Sequence, residues 1–328
     1  MRRFAIVFCV WFAASPGGAA TIAENFASDP TTRGWGVFGA ASLFNWNAMD
    51  EQLEVTWDSS RTNSYFYRRL GTILAKDDDF EFSFDIRLDD AAVGTTPGKP
   101  STFELAIGFL NFTNATAPGF RRGVASACPN LVEFDYFPAE DFIFPTIWPT
   151  FTATNSQFNY NGSSDYTLLG LTTGDWFHVA MTYTASNRTL VTVMTQNGAP
   201  FGPINSVPLA SGFGDFRVDT VAISSYSDAD QSPPQFAGSL LAHGVVDNVT
   251  ITVPASPMSN PVVSLSNQVW RTQFSARTNW SYFLERSTNL QSWTKVSSSL
   301  PGTGSLLALS ESNAPSQKAF YRVHAERP

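Results

Sequence analysis

The run Asp79-Phe-Glu-Phe-Ser-Phe-Asp-Ile-Arg-Leu88 constrains the fold more than any other stretch of this chain. Phe80, Phe82, Phe84, Ile86 and Leu88 fall on one side of an extended backbone, and Glu81, Ser83, Asp85 and Arg87 fall on the other. A period of two is the signature of a β-strand with one face buried and one face wet, the usual state of an antiparallel sheet. By the same alternation, or by β-branched and aromatic content, residues 52–57, 64–70, 102–111, 131–137, 176–184, 189–196, 216–224 and 240–253 also read as strands. Gly and Pro punctuate the gaps, as in Gly94-Thr-Thr-Pro-Gly98 and Ala199-Pro-Phe-Gly-Pro203. No segment of useful length has a helical period. So many short strands predict an all-β chain, with residues 21–253 folded as two packed sheets in a jelly-roll sandwich.

The ends read differently. Met1-Arg-Arg-Phe, the apolar run from Ala5 to Ala14 and the small residues Gly17-Gly-Ala-Ala20 have the order of a signal peptide. The apolar run is shorter than the roughly 20 residues that span a bilayer. Residues 1–20 are therefore expected to be a cleaved leader. No later stretch is long and apolar enough for a membrane helix, so the chain is expected to be secreted or cell-surface, extracellular or periplasmic. Of the two cysteines, Cys9 would leave with the leader and Cys128 would remain alone, without an internal disulfide partner. Three prolines in Val253-Pro-Ala-Ser-Pro-Met-Ser-Asn-Pro261 predict a semi-stiff linker over 254–261. A smaller β unit is expected over 262–328, with strands near 268–276, 281–286, 293–296, 306–309 and 320–324. Tyr282, Leu284, Phe320 and Val323 are its expected core.

Charge is unevenly spread. The whole chain carries 20 basic and 28 acidic residues, net −8. From Ala255 onward there are seven basic and three acidic residues, which leaves residues 21–254 strongly acidic. An acidic main unit argues against a nucleic-acid partner.

The chemistry-bearing stretch is Asn130-Leu-Val-Glu-Phe-Asp-Tyr-Phe-Pro-Ala-Glu-Asp141. Glu133 and Asp135 project from one strand face, about 7 Å apart at two residues' rise. Pro138 ends the strand, and Glu140 and Asp141 follow. Buried carboxylates need a cation, hydrogen-bond donors or a proton. A single Ca²⁺ held by Glu133, Asp135 and Asp141 with backbone oxygens is one solution, because Ca²⁺ takes six to eight oxygens. Backbone amides or Arg121/Arg122 are the other. Trp148, in Phe144-Pro-Thr-Ile-Trp-Pro-Thr-Phe151, follows the acids. Its ring either stacks on a sugar, with Asn155, Asn159 or Asn161 supplying hydrogen bonds, or plugs the sandwich edge.

Three stretches resemble the concanavalin A-like lectin/glucanase superfamily, most closely the L-type lectins. They are Phe103-Glu-Leu-Ala-Ile-Gly-Phe-Leu with Asn130 to Pro138, Trp176-Phe-His-Val-Ala-Met-Thr-Tyr with Arg188-Thr-Leu-Val-Thr-Val, and Phe236-Ala-Gly-Ser-Leu with Val246-Asp-Asn-Val-Thr-Ile. The lectin resemblance implies that Glu133, Asp135 and the Phe137 carbonyl are metal ligands beside a sugar site. The chain departs from that pattern at Ala139, where the family has Asn, and it lacks the family's downstream His. The superfamily's glycoside hydrolases pair a nucleophile with an acid in E-x-D-x-x-E, but Pro138 stands where the last Glu belongs. The end of the chain resembles fibronectin-III-like modules of secreted bacterial proteins, through Tyr282-Phe-Leu-Glu-Arg-Ser-Thr-Asn-Leu, Trp293-Thr and Phe320-Tyr-Arg-Val323.

Little else carries chemistry. His178, His243 and His324 show no metal-ligand spacing, and no nucleophile elbow, phosphate loop or dinucleotide fingerprint occurs. Asp77-Asp-Asp79, Asp228 and Asp230 read as solvated turns. The expectation is a secreted, non-catalytic, glycan-binding protein, with calcium as its candidate cofactor. A polysaccharide hydrolase or lyase on the same scaffold, and a structural or adhesive surface protein, are the alternatives.

Overall fold

A computed structural model describes residues 19–123, 127–138, 144–229, 231, 237–316 and 318–327. Residues 1–18 of the expected leader, the acids Glu140 and Asp141, the neighbouring Ala139, and also Asp230 and Phe236, lie outside the described residues. Contacts divide the chain after Pro254 into a unit over Thr21–Pro254 and a second over Ala255–Pro328.

Up to Val253 the first strands are β1 (Ala20–Glu24), β2 (Trp35–Phe38), β3 (Phe44–Asn47), β4 (Gln52–Asp58), β5 (Ser64–Leu74), β6 (Phe80–Val93), β7 (Leu105–Leu110) and β8 (Leu131–Phe137). They continue with β9 (Thr146–Thr152), β10 (Thr167–Leu168), β11 (Trp176–Thr184), β12 (Thr189–Gln196), β13 (Ala199–Phe201), β14 (Val207–Pro208), β15 (Val218–Ser225) and β16 (Leu240–Val253). A single helical turn, α1 (Phe112–Ala115), follows β7, with the Asn111 side chain accepting from the Asn114 N–H as its cap. The strands form two antiparallel sheets. One runs β13-β12-β11-β6-β16-β4-β3, with β1 on β16 and β14 on β12. The other runs β10-β9-β8-β7-β15-β5-β2. The unit is a two-sheet jelly-roll sandwich.

The core follows from the period-two pattern. Phe80, Phe82, Phe84, Ile86 and Leu88 of β6 are all buried. They meet β7 and β8 of the other sheet. Phe84 packs edge-on against Phe134 at 5.6 Å and Phe80 against Phe109 at 5.4 Å, while Phe151 of β9 lies tilted against Tyr183 of β11 at 5.8 Å. Such offset and edge-on pairs contribute beyond their buried area. Strands missed from sequence are short, except β9. Pro149 sits inside β9 and argues against a strand. β10 covers only Thr146 and Ile147, so at Pro149 the side of β9 facing away from β8 has no strand partner and the absent N–H is tolerated.

The second unit contains β17 (Met258–Ser266), β18 (Val269–Ala276), β19 (Ser281–Ser287), β20 (Thr294–Lys295), β21 (Leu300–Pro301), β22 (Leu306–Glu311) and β23 (Phe320–Glu326). A β17-β18-β22 sheet and a sheet built on β19 enclose Trp270, Phe274, Tyr282 and Leu284. Two expectations are corrected. The chain over Met258–Ser266 is strand, not linker; it accommodates Pro261 at a register shift between Ser259 and Val262. Phe320 is not core. It pairs with Ser287 on the outward parity of β19, beneath the Lys318 ammonium at 4.8 Å. Tyr321 takes the inward position and stacks on Trp270 at 4.3 Å. Val323 shares that inward parity but is only half-buried.

Phe134→Ala would leave a cavity at the centre of the larger sandwich. A loss of about 3–5 kcal/mol is expected, read from the urea midpoint of the main unit.

Candidate functional site

The outer face of the β10-to-β2 sheet carries the site. On β8 the even residues point into the sandwich, so Glu133, Asp135 and Phe137 point outward. Their cross-strand neighbours on β7 are Gly108 and Ala106, and the next neighbours on β15 are Ala222 and Ser224. These small side chains make a trough along the sheet. A Cβ on Gly108 would lie 2.4 Å from the Val132 carbonyl oxygen and 2.6 Å from the Glu133 Cα, so only glycine fits there. The connection between β7 and β8 folds back over the trough. Asn63 Nδ2 donates to the Phe120 carbonyl, Tyr65 Oη to the Ala115 carbonyl, and Thr152 Oγ1 to the Cys128 carbonyl. Glu133 and Asp135 consequently have 0% exposure, although they sit on an outer face.

Arg122 comes down from this connection among the acids. Its Nη2 donates to Asp135 Oδ2 at 2.5 Å, and its Nε lies 3.6 Å from Glu133 Oε2 and 3.7 Å from Glu104 Oε1. Tyr226 Oη donates to Glu133 Oε1, and the guanidinium lies over the Tyr226 ring at 5.7 Å. Three buried carboxylates thus face one buried cation. Burial pushes the Glu133 carboxyl up to about 8, helped by the charge of Asp135 and opposed by Arg122 and Tyr226. Burial likewise pushes Glu104 up to about 7 and raises Asp135, in both cases against Arg122. Burial works against the Arg122 charge, but the surrounding carboxylates outweigh it and hold the guanidinium protonated. The raised carboxyls favour bound protons, which offset part of the excess negative charge. Neither acid can reach a glycosidic oxygen while the connection lies over it.

One row along, Trp148 pairs with Asp135 across β8 and β9 and shares its outward face. Its ring is half-buried in a cluster with Phe137 at 6.2 Å, Phe158 at 5.4 Å, Tyr160 at 5.8 Å and Tyr166 at 5.3 Å. Tyr160 is 53% exposed, Leu168 of β10 59%, and Phe144, just before β9, 74%. The rings form an aromatic cluster at the sheet edge, and Leu168 and Phe144 add exposed apolar surface on β10 and just before β9. Sequence reasoning singled out Trp148 but missed Phe158, Tyr160 and Tyr166. The signal available was the alternation Phe158-Asn-Tyr160, which puts both rings on one side of the chain that folds back along β9.

The three asparagines divide. Asn159 is buried and engaged at both ends: Nδ2 donates to the Pro208 carbonyl at 3.3 Å and Oδ1 accepts from the Ala210 N–H at 2.8 Å. Its work is to hold the loop that carries the aromatic rings. Asn161 Nδ2 donates to Pro208 at 2.7 Å, and Asn155 is exposed on a turn, accepting from the Gln157 N–H. His178 and His243 pair with Asp85 and Asp90 on the outer face of the other sheet, and His324 stacks on Phe283 at 4.7 Å. Asp78 and Asp79 accept backbone N–H groups of Ala75 and Ala185, and Asp228 holds Lys99, Ser59 and Thr96. Asp78 and Asp228 are thus buried structural ties rather than solvated turn residues, whereas Asp77 and Asp79 are exposed at the turn before β6, as expected. Among the described residues, no group of three or more His, Cys, Asp or Glu is arranged to hold a metal ion.

No family model matches the chain, and no curated protein matches it. Solved structures do. A seed lectin isoform of Lotus tetragonolobus overlays with a TM-score of 0.45 at 11% identity, covering 72% of this chain and 99% of that one. Lectin II from Ulex europaeus gives 0.46 at 12%, with the same coverage. The alginate lyase Aly36B gives 0.38 at 13%, covering 70% and 96%.

The raised carboxyls set the sign of a pH effect. The folded chain keeps protons that the unfolded chain releases, so this stabilisation is complete below the ordinary glutamate range and is lost as pH rises through about 7 to 8. Glu133→Gln mimics the protonated acid. It is expected to flatten the fall in Tm between about pH 5 and pH 8.5 while changing stability at the acid end by no more than about 1 kcal/mol.

Proposed function

We propose that this is a secreted, non-catalytic protein whose main unit binds glycan through the aromatic patch around Trp148 and Tyr160. The observation that carries the reading is the patch itself: exposed Tyr160 packs on Trp148, which also meets Phe137, Phe158 and Tyr166, while Phe144 and Leu168 are exposed just before β9 and on β10. Exposed apolar surface of this kind marks an interaction site. Aromatic rings offer flat apolar faces to the C–H faces of a pyranose, while nearby amides and hydroxyls select its orientation. Ser164, Asn155 and the backbone around Asn161 are the polar groups at hand. The strongly acidic balance of the unit favours a neutral glycan over an anionic one, since like charges would repel it. The Ala255–Pro328 unit, by its resemblance to fibronectin-III-like modules, serves in this reading as a spacer.

A glycan array followed by affinity electrophoresis on the polysaccharides retained tests the proposal. Tyr160→Ala and Phe144→Ala are each expected to weaken binding about tenfold, equivalent to ~1.4 kcal/mol. Val193→Ala, at an exposed position on the opposite sheet, should leave it unchanged. Retention of no glycan, or equal loss in all three variants, would remove the patch as a sugar site and leave it as a protein contact.

A further inference from the structure

We infer that Arg122 fills the electrostatic role that the lectin resemblance gives to a metal ion, so that the Glu133–Asp135 pair is organised without metal. The described residues do not suit a calcium ion. Calcium needs six to eight oxygens at about 2.3–2.6 Å. Here Asp135 Oδ2 is taken by the guanidinium and Glu133 Oε1 by the Tyr226 hydroxyl. The cation already present lies within 3.7 Å of all three carboxylates, and a divalent ion placed among the same oxygens would sit against it. The acids are fully buried beneath the β7–β8 connection.

The delivery of Arg122 is itself built. Backbone hydrogen bonds in both directions between Arg121 and Ala127 close the connection into a loop, and the Phe120 ring rests on Tyr226 at 6.1 Å. The cation is therefore attached to the segment that covers the site. Arg122 neutralises carboxylates and, as part of the covering segment, also holds the cover down. Arg122 acts here as a positioning residue. This inference concerns charge balance and stands whether or not the aromatic patch binds sugar.

The test is thermal unfolding of the full chain after dialysis against chelator, then with calcium or manganese added. The wild type should melt at the same temperature in all three conditions. A Tm that rises with calcium and falls back with chelator would overturn the inference. Arg122→Ala strips the cluster of its cation and should lower Tm on the order of 10 °C, since removing one partner strands buried charge. In that variant, low millimolar methylguanidinium or calcium should recover part of the loss, a response the wild type lacks. Arg122→Lys keeps a charge and should fold with a smaller loss and no response to calcium. Should Arg122→Ala fail to fold, the lysine variant and the wild type still decide the matter. An alanine variant as stable as the wild type would overturn the inference.

Discussion

Burying Arg122 among Glu104, Glu133 and Asp135 is unfavourable unless each charge finds a counterpart, and the outer face of the sheet is arranged around that requirement. Moving an ion out of water costs several kcal/mol even after the protein relaxes. One guanidinium cannot offset three carboxylates, and protons on acids whose affinity for them is raised offset part of the remainder. The fold supplies the rest. Small residues on β7 and β15 leave a trough, the β7–β8 connection lies in it, and Tyr226 bonds Glu133 from the end of β15. The buried cluster gives β8 a fixed outward row. Trp148, directly across from Asp135, is held at the border between that closed cluster and the open aromatic patch.

This separation assigns different work to neighbouring residues. The acid pair, which reads in sequence as the chemistry-bearing element, is buried and bonded to Arg122 and Tyr226. The surface capable of meeting a ligand lies one strand further out, where the connection no longer covers the sheet. Asn159 is not free to meet a ligand either, since its amide is spent on Pro208 and Ala210 and anchors the loop that carries the rings. Tyr160, its neighbour in sequence, points the other way in the strand period and is exposed.

Much of the fold was readable because it depends on local alternation. The β6 pattern specified which side of the strand is core, and the strands at 131–137, 176–184, 189–196 and 240–253 have those bounds in the structure. Errors arose where a local sign was overridden by partners elsewhere. Pro149 reads as a strand breaker, yet it lies beyond the reach of β10. Phe320 and Val323 were both taken as core, although residues three apart cannot share a strand face; Tyr321 is the inward residue. The acid site was half legible. Two carboxylates on one face can be read from sequence, and Arg122 was one of the counterions considered. The choice between arginine and calcium was not readable. It depends on Gly108, Ala222 and Ser224, which come from two strands more than a hundred residues apart and carry no chemistry of their own.

Cys128 lies under the same cover. It is buried, is not disulfide-bonded, and belongs to the connection whose carbonyl is held by Thr152. A buried sulfur meets a soluble thiol reagent only when the structure around it opens. Segments of this kind open at lower free energy than the strands beneath them. The chain therefore contains its own gauge of local opening: the labelling rate of one sulfur distinguishes a loosened cover from a melted sandwich, which a single melting curve cannot do.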